Sequence, residues 1–223
     1  VLFRSAVPGQ IGPNDVNVLT SVMDFVATQG SYRYLEIGSY LGASLQWHLT
    51  NPACVQVVSI DKRSRDKIKD ERQIDYAYTT TTQDMINALT SNGLPIDKLI
   101  TINGTVDKIP LDDQFDLVFV DAEHTNQAVF YDAVKCSESM NTNSIIMFHD
   151  DWIVYKGIEK FEEYLTNNQQ IFRKFKMQDS DITVIVLGEL INDFDTQLGH
   201  KSSPWSQLVD LAESRLPKPP QQN

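Results

Sequence analysis

Tyr34-Leu-Glu-Ile-Gly-Ser-Tyr-Leu-Gly-Ala-Ser44 is the stretch whose reading decides the fold. Leu35-Glu36-Ile37 is an apolar run of strand type, and the glycines that follow mark a turn opening a helix. Such a strand-turn-helix junction is where α/β folds hold a nucleotide-like ligand. A dinucleotide fingerprint would read Gly-x-Gly-x-x-Gly, whereas this turn reads Glu36-x-Gly38-x-x-x-Gly42. Close approach of a pyrophosphate depends on closely spaced glycines, so the wider spacing suits a ligand that crosses the turn without a phosphate. A plain turn needing glycine for φ > 0 is the other reading of the same residues.

Working outward, a helix at 43–49 and a β-rich run at 55–60 complete a strand-helix-strand unit, whose right-handed crossover places the two strands parallel and adjacent. Asp61 ends the second strand roughly 20 residues past the turn, where the two hydroxyls of a ribose would fall. A strand-end cap for the basic residues that follow is its alternative role. Further strands are expected at 98–102, 115–120 and 144–148, with helices at 83–89, 128–140 and 157–165. Upstream, Asn14 or Asp15 caps a helix closed by Gly30. Two closing strands, 171–177 and 182–187, are joined by Asp179-Ser180-Asp181. The pattern predicts an α/β fold, a seven-stranded mostly parallel sheet with an antiparallel edge and helices on both faces. Residues 1–188 form one domain, with 1–13 a flexible lead-in or lid. Residues 189–223 form a partly disordered extension with a short surface helix at 206–216 and a proline- and glutamine-rich tail.

The 223 residues and 41% hydrophobic content suffice for a sizeable core. A formal charge of -11 argues against a nucleic-acid partner, which needs clustered Lys and Arg. The one basic run, 62–69, is interrupted by acids and reads as a solvated helix face. Cys54 and Cys136 lack paired spacing and read as reduced core residues. No apolar run reaches membrane-spanning length and no secretory leader precedes the domain, so a soluble, cytoplasmic protein is expected; the chain starts at Val1 without Met, so N-terminal signals are left open. A homo-oligomer is left open as well.

Glu36-Ile-Gly38-Ser-Tyr40-Leu-Gly42-Ala-Ser44 resembles the first motif of the class I S-adenosylmethionine-dependent methyltransferases, and especially that of catechol O-methyltransferase and its relatives. The resemblance implies the Rossmann-like class I fold. It also implies that Glu36, Gly38, Tyr40 and Ser44 line the methionine part of S-adenosylmethionine, with Gly42 in the same turn, and that Asp61 takes the ribose. Gly104-Thr105-Val106-Asp107 resembles the segment that edges the adenine, with Asp107 accepting from its amino group; a cap for the next turn is the rival role. Gln10-Ile11-Gly12 resembles, loosely, the N-terminal lid.

Two acidic clusters complete the pattern. Asp121 ends the apolar strand 115–120 and faces the same crevice, and Asp150 and Asp151 lie at the tip of the next strand. Three carboxylates brought together repel one another unless a cation joins them, and oxygen ligands favour a hard divalent ion, magnesium first. Helix capping would use one acid at each strand end. Asp121-Ala-Glu123-His124 with His149-Asp150-Asp151-Trp152 is similar to the macrocin- and mycinamicin-type sugar O-methyltransferases. That likeness implies Asp121, Asp150 and Asp151 as metal ligands, Asp121 also facing the cofactor, and His124 as the base with Glu123 its rival. His149 would orient the metal pair, and Trp152 would wall the acceptor pocket or belong to the core.

The expected activity is therefore methyl transfer to a small-molecule hydroxyl, a sugar or polyol foremost. The alternatives are a same-fold enzyme associated with hydroxylation, a non-catalytic cofactor-binding or scaffold domain, and a nicotinamide-dependent oxidoreductase, which the glycine spacing disfavours.

Overall fold

The computed structural model describes residues 6–63, 67–76, 79–109 and 114–217. In chain order the elements are α1 (Pro13–Gln29), β1 (Tyr32–Ile37), α2 (Leu45–Thr50), β2 (Cys54–Asp61), β3 (Ile68–Lys69), β4 (Asp75–Tyr76), α3 (Thr82–Ser91) and β5 (Leu99–Asn103). They continue with β6 (Phe115–Val120), α4 (Asn126–Ser137), β7 (Met140–Phe148), α5 (Asp151–Asn167), β8 (Phe172–Met177), β9 (Thr183–Leu187), α6 (Leu190–Gln197), β10 (Ser202–Ser203) and α7 (Trp205–Arg215).

The main sheet runs β10-β8-β9-β7-β6-β1-β2-β5. From β5 to β7 the strands are parallel, and β9, β8 and β10 are antiparallel additions. The central strands are apolar on both faces because each face is covered by helices. Tyr34, Leu117, Phe119 and Met147 point into one core with Val22 of α1, Leu45 of α2 and Leu89 of α3. Leu35, Val58, Val118 and Ile146 point into the other, against Val129 and Ala133 of α4 and Ile158 and Phe161 of α5. Each such side chain contributes roughly 1.5–3 kcal/mol on burial, so the two cores fix the sheet and with it the strand ends.

The chain after β1 leads to β2 and β5 on one side, while β6 and β7 lie on the other. The strand order thus reverses beside β1, and in open α/β sheets a ligand crevice opens at the carboxyl ends there.

The sheet has eight strands where seven are expected; the eighth, β10, is only two residues long and leaves no period in the sequence. In the basic run the described residues 62, 63 and 67–69 are not helical, and Ile68–Lys69 form β3 of a separate hairpin, β3-β4; residues 64–66 lie outside the described residues. Helix α5 begins at Asp151 rather than near Gly157. The extension folds back onto the domain: β10 pairs with β8, and Leu208 and Ala212 of α7 pack on Tyr155 of α5. The lead-in is packed as well, with Val7 buried and the Ala6 N–H donating to Gln46 Oε1 (2.9 Å). Gly12 is the N-cap of α1, and Asp15, three residues in, accepts the Gly12 N–H (3.0 Å). The expected extremes of the lead-in, 1–5, and of the tail, 218–223, lie outside the described residues. Cys54 and Cys136 are buried and free. Among the described residues no helix is long and apolar enough to cross a membrane.

Candidate active site

A cavity of about 310 Å³ opens at the carboxyl ends of β1, β2, β6 and β7. Its floor is the glycine turn. The Gly38 N–H donates to Ile60 O (2.8 Å) and the Asp121 N–H to Ile37 O (2.9 Å), so the turn is stitched to both neighbouring strands. Gly38 has φ +91°, and a Cβ there would overlap the Asp121 carbonyl oxygen and stand 2.6 Å from Ala122 Cα. Gly38, Tyr40 and Ser44 line the cavity, together with Gly9, Gln10 and Ile11 of the lead-in. Gly42 does not; at φ +84° it faces Leu89 and Met85 of α3, and its role is packing.

Glu36 lies behind the wall rather than on it, wholly buried. It accepts from Ser44 Oγ (2.6 Å) and Tyr34 Oη (2.5 Å), and Tyr34 in turn stacks on His48 with centroids 3.6 Å apart. Burial pushes its pKa up to about 7 against those two donors, with the charge of Asp121 adding to the rise. The folded chain therefore takes up a proton that the unfolded chain, titrating near 4.5, does not hold. The Glu36 contribution to stability is full below about pH 4.5 and is lost as pH rises to about 7, on the order of 3 kcal/mol across the window. Urea unfolding at pH 5 and pH 8 should show this loss, and Glu36→Gln should flatten it.

Asp61 is at the cavity, where Oδ2 accepts the Tyr40 N–H (3.0 Å) and Oδ1 the Arg63 N–H (3.0 Å). Oδ1 keeps a second lone pair, whereas Oδ2 also faces the Arg63 guanidinium. Arg63, which the sequence reading assigned to a solvated run, is instead a buried guanidinium 3.2 Å from Asp61 that also donates to the Tyr40 carbonyl. Asp107 lines the cavity and accepts from Tyr131 Oη (2.5 Å). Beside it stands Asp132, unmarked in the sequence, whose pKa burial and the charges of Glu123 and Asp107 raise to about 7.

Asp121, His124 and Asp150 meet at the opposite wall, each offering one ligand atom within 4.8 Å of the others. His124 Nε2 is 3.2 Å from Asp150 Oδ2 and 3.8 Å from Asp121 Oδ1. His149 Nδ1 is 3.0 Å from Asp121 Oδ1, and its Nε2 is 3.5 Å from Asp15 Oδ2 of α1. Burial pushes both imidazoles down, but the carboxylates outweigh it, Asp121 and Asp150 for His124 and Asp121 and Asp15 for His149, and both pKa values are raised. Reciprocally, burial raises Asp121 but the two imidazoles bring it down to about 2. Glu123 lines the cavity and accepts from Thr125 Oγ1 (3.1 Å).

Asp151 departs from the expected ligand set. Asp150 has a left-handed backbone, φ 49°, so the two adjacent side chains leave in different directions. Asp151 is wholly buried on the far side, accepting from Thr183 Oγ1 (2.7 Å) and paired with Lys176 Nζ (3.0 Å). It anchors the start of α5 to the antiparallel edge. Removing one partner of a buried pair leaves an uncompensated charge, so Lys176→Met should cost roughly 3 kcal/mol in thermal or urea unfolding. Trp152 is likewise away from the cavity, packed on the α5–α7 cluster with the Arg215 guanidinium 5.4 Å from its ring centroid.

A family model described as a methyltransferase domain matches residues 35–150, from the glycine strand to Asp150. The chain belongs to this methyltransferase domain family. No curated protein matches it in sequence. Among solved structures, an O-methyltransferase from Bacillus cereus in complex with SAH is similar at TM-score 0.59 and 16% identity, over 82% of this chain and 84% of that one. The O-methyltransferase TomG from Streptomyces achromogenes, involved in tomaymycin synthesis and in complex with SAM, is similar at TM-score 0.58 and 14% identity, over 79% and 81%. These likenesses give the class I methyltransferase fold, with its helices around a mostly parallel sheet.

Proposed function

We propose that this methyltransferase uses S-adenosylmethionine to methylate a hydroxyl of a small molecule, a sugar or polyol with a second oxygen beside the first. The observation that carries the reading is the meeting of two features in one cavity: the glycine turn with Asp61, and His124 with Asp121 and Asp150. The structural likeness to O-methyltransferases holding SAM or SAH supports it.

The cavity suits the cofactor. Its volume is within the ordinary range for small-molecule sites, Asp61 Oδ1 retains a lone pair for a ribose hydroxyl, and Gly38 leaves the turn without a side chain. When bound, S-adenosylmethionine supplies an electrophilic methyl group. His124 would take the proton that the acceptor hydroxyl gives up, its neutral ring being the form that can accept it. Asp150 and Asp121 orient the ring and stabilise the imidazolium that results. Residues 9–11 close one side of the cavity.

The donor set also fits a divalent ion, though not through the three acids that the sequence suggests. Asp121 and Asp150 would hold it, with the His124 nitrogen beside them and Asp151 committed to Lys176. Magnesium or manganese suits the two carboxylates. Such an ion would lower the pKa of a bound hydroxyl. We place the enzyme in the cytoplasm, with a small-molecule partner rather than a nucleic acid or membrane, on its charge of -11 and its sequence pattern.

The test is transfer from methyl-labelled S-adenosylmethionine to catechol, methyl α-D-glucopyranoside and myo-inositol, followed by mass spectrometry, with EDTA and with magnesium or manganese restored. A labelled product whose yield EDTA lowers is expected. Calorimetric binding of NAD but not of S-adenosylmethionine would overturn the reading.

A further inference from the structure

Between β2 and α3 the hairpin β3-β4 stands apart from the main sheet. Its turn is organised by Asp70, whose buried carboxylate accepts the N–H groups of Arg72 (2.8 Å) and Ile74 (3.1 Å) and pairs with the Arg72 guanidinium at Nε (2.7 Å) and Nη2 (2.5 Å). With both guanidinium nitrogens on Oδ2 and both backbone N–H groups on Oδ1, the charge-assisted contacts fix the geometry, so the turn is a pre-set unit.

That unit reaches away from its own strands. The Glu71 N–H donates to the His124 carbonyl (3.1 Å), and the Asn126 N–H donates to Glu71 Oε1 (2.8 Å). Asn126 opens the 12-residue helix α4 after its N-cap Thr125, so the Glu71 carboxylate sits where a helix favours negative charge. His124 and Thr125 are thereby held from both sides by one residue. In the sheet, β1 lies between β2, which the hairpin follows, and β6, whose loop it grips. The hairpin therefore ties the chain that follows β2 to the loop after β6, and Ile68 lines the same cavity.

We propose that this hairpin is a strap that positions His124, with Glu71 the positioning residue and Ile68 its apolar contact with whatever fills the cavity. The functional weight of the strap rests on His124 being the base. Glu71→Ala removes the carboxylate tie, Glu71→Gln keeps an acceptor oxygen in the same place, and Glu71→Asp shortens the reach as a milder variant.

The chain has four histidines, 48, 124, 149 and 200, so their ring ¹³C–¹H resonances can be assigned by substitution and followed without any acceptor. Glu71→Ala, and more weakly Glu71→Asp, should shift the His124 resonance while His48 and His200 stay in place, and Glu71→Gln should restore it. S-adenosylhomocysteine affinity by calorimetry should change less than twofold, and kcat with the acceptors above should fall tenfold to a hundredfold in Glu71→Ala, about what a small misplacement costs. An unmoved His124 resonance in Glu71→Ala, or a shift that Glu71→Gln does not restore, would overturn the assignment. Lost S-adenosylhomocysteine affinity with His124 unmoved would give the strap to the cofactor and overturn it too. A wild-type protein that transfers no methyl group while the ring resonance follows Glu71 would sink the proposed function and leave the strap standing.

Discussion

Gly38→Ala should abolish binding of S-adenosylmethionine, raising its dissociation constant at least a hundredfold in calorimetry. The added methyl has nowhere to go. Its Cβ would overlap the Asp121 carbonyl oxygen and lie 2.6 Å from Ala122 Cα, and these are backbone atoms that cannot swing aside. The φ of +91° adds strain for any residue with a Cβ. Together the overlap and the strain cost on the order of 4 kcal/mol. Relief requires moving either the turn or the end of β6, and each carries cavity residues. Gly42→Ala is the control. Its φ of +84° is also unfavourable, but its Cβ would meet Leu89 Cδ2, a terminal methyl, and Met85 Cγ at 3.2 Å, side-chain atoms rather than backbone. That variant should lose only about 1–2 kcal/mol of stability and bind the cofactor within a fewfold of wild type. Equal loss of affinity in both variants would show that the turn as a whole, and not the approach of Gly38 to Asp121, governs the site.

The difference between these two glycines marks how far the sequence could be read. Both announce the same turn, and the order of strands around it follows from alternating apolar runs and helical stripes, which long elements display clearly. Which glycine faces the ligand depends on the rotation of α2 against α3, a tertiary fact. The same holds at Asp150-Asp151. Two adjacent acids at a strand tip look like a pair of ligands, yet the left-handed backbone of Asp150 turns them apart and a lysine on the antiparallel strand β8 claims the second. Lys176 lies 25 residues further on, and nothing local signals the pairing. The hairpin 67–76 escaped because its strands are two residues each, too short for any period, and because its charges looked like a solvated surface. Asp15 escaped for another reason: it reads as a helix-start residue, which it is, while its other oxygen accepts the Asp181 N–H (2.8 Å) and its carboxylate faces His149. A residue that satisfies a local rule gives no sign of a second, distant role.

His124→Gln should lower kcat by about 10²–10⁴, the ordinary worth of a positioned general base, while leaving S-adenosylhomocysteine affinity within about threefold. Of the two base candidates that the sequence leaves open, only His124 joins the Asp121–Asp150 pair, with Nε2 3.2 Å from Asp150 Oδ2. Glu123 also lines the cavity, but one of its oxygens accepts from the Thr125 hydroxyl at the start of α4, which ties the side chain to the loop. Glu123→Gln keeps that acceptor and should cost less than tenfold in kcat. Measuring kcat and KM for both variants with the same acceptor separates the roles, because loss of a transition-state contact lowers kcat and kcat/KM together, whereas loss of acceptor binding raises KM alone. A large fall in Glu123→Gln with His124→Gln nearly unaffected would reverse the assignment and make the imidazole a charge partner of Asp121 and Asp150. The expected order, His124 large and Glu123 small, follows from which of two neighbouring side chains the start of α4 directs at the acids.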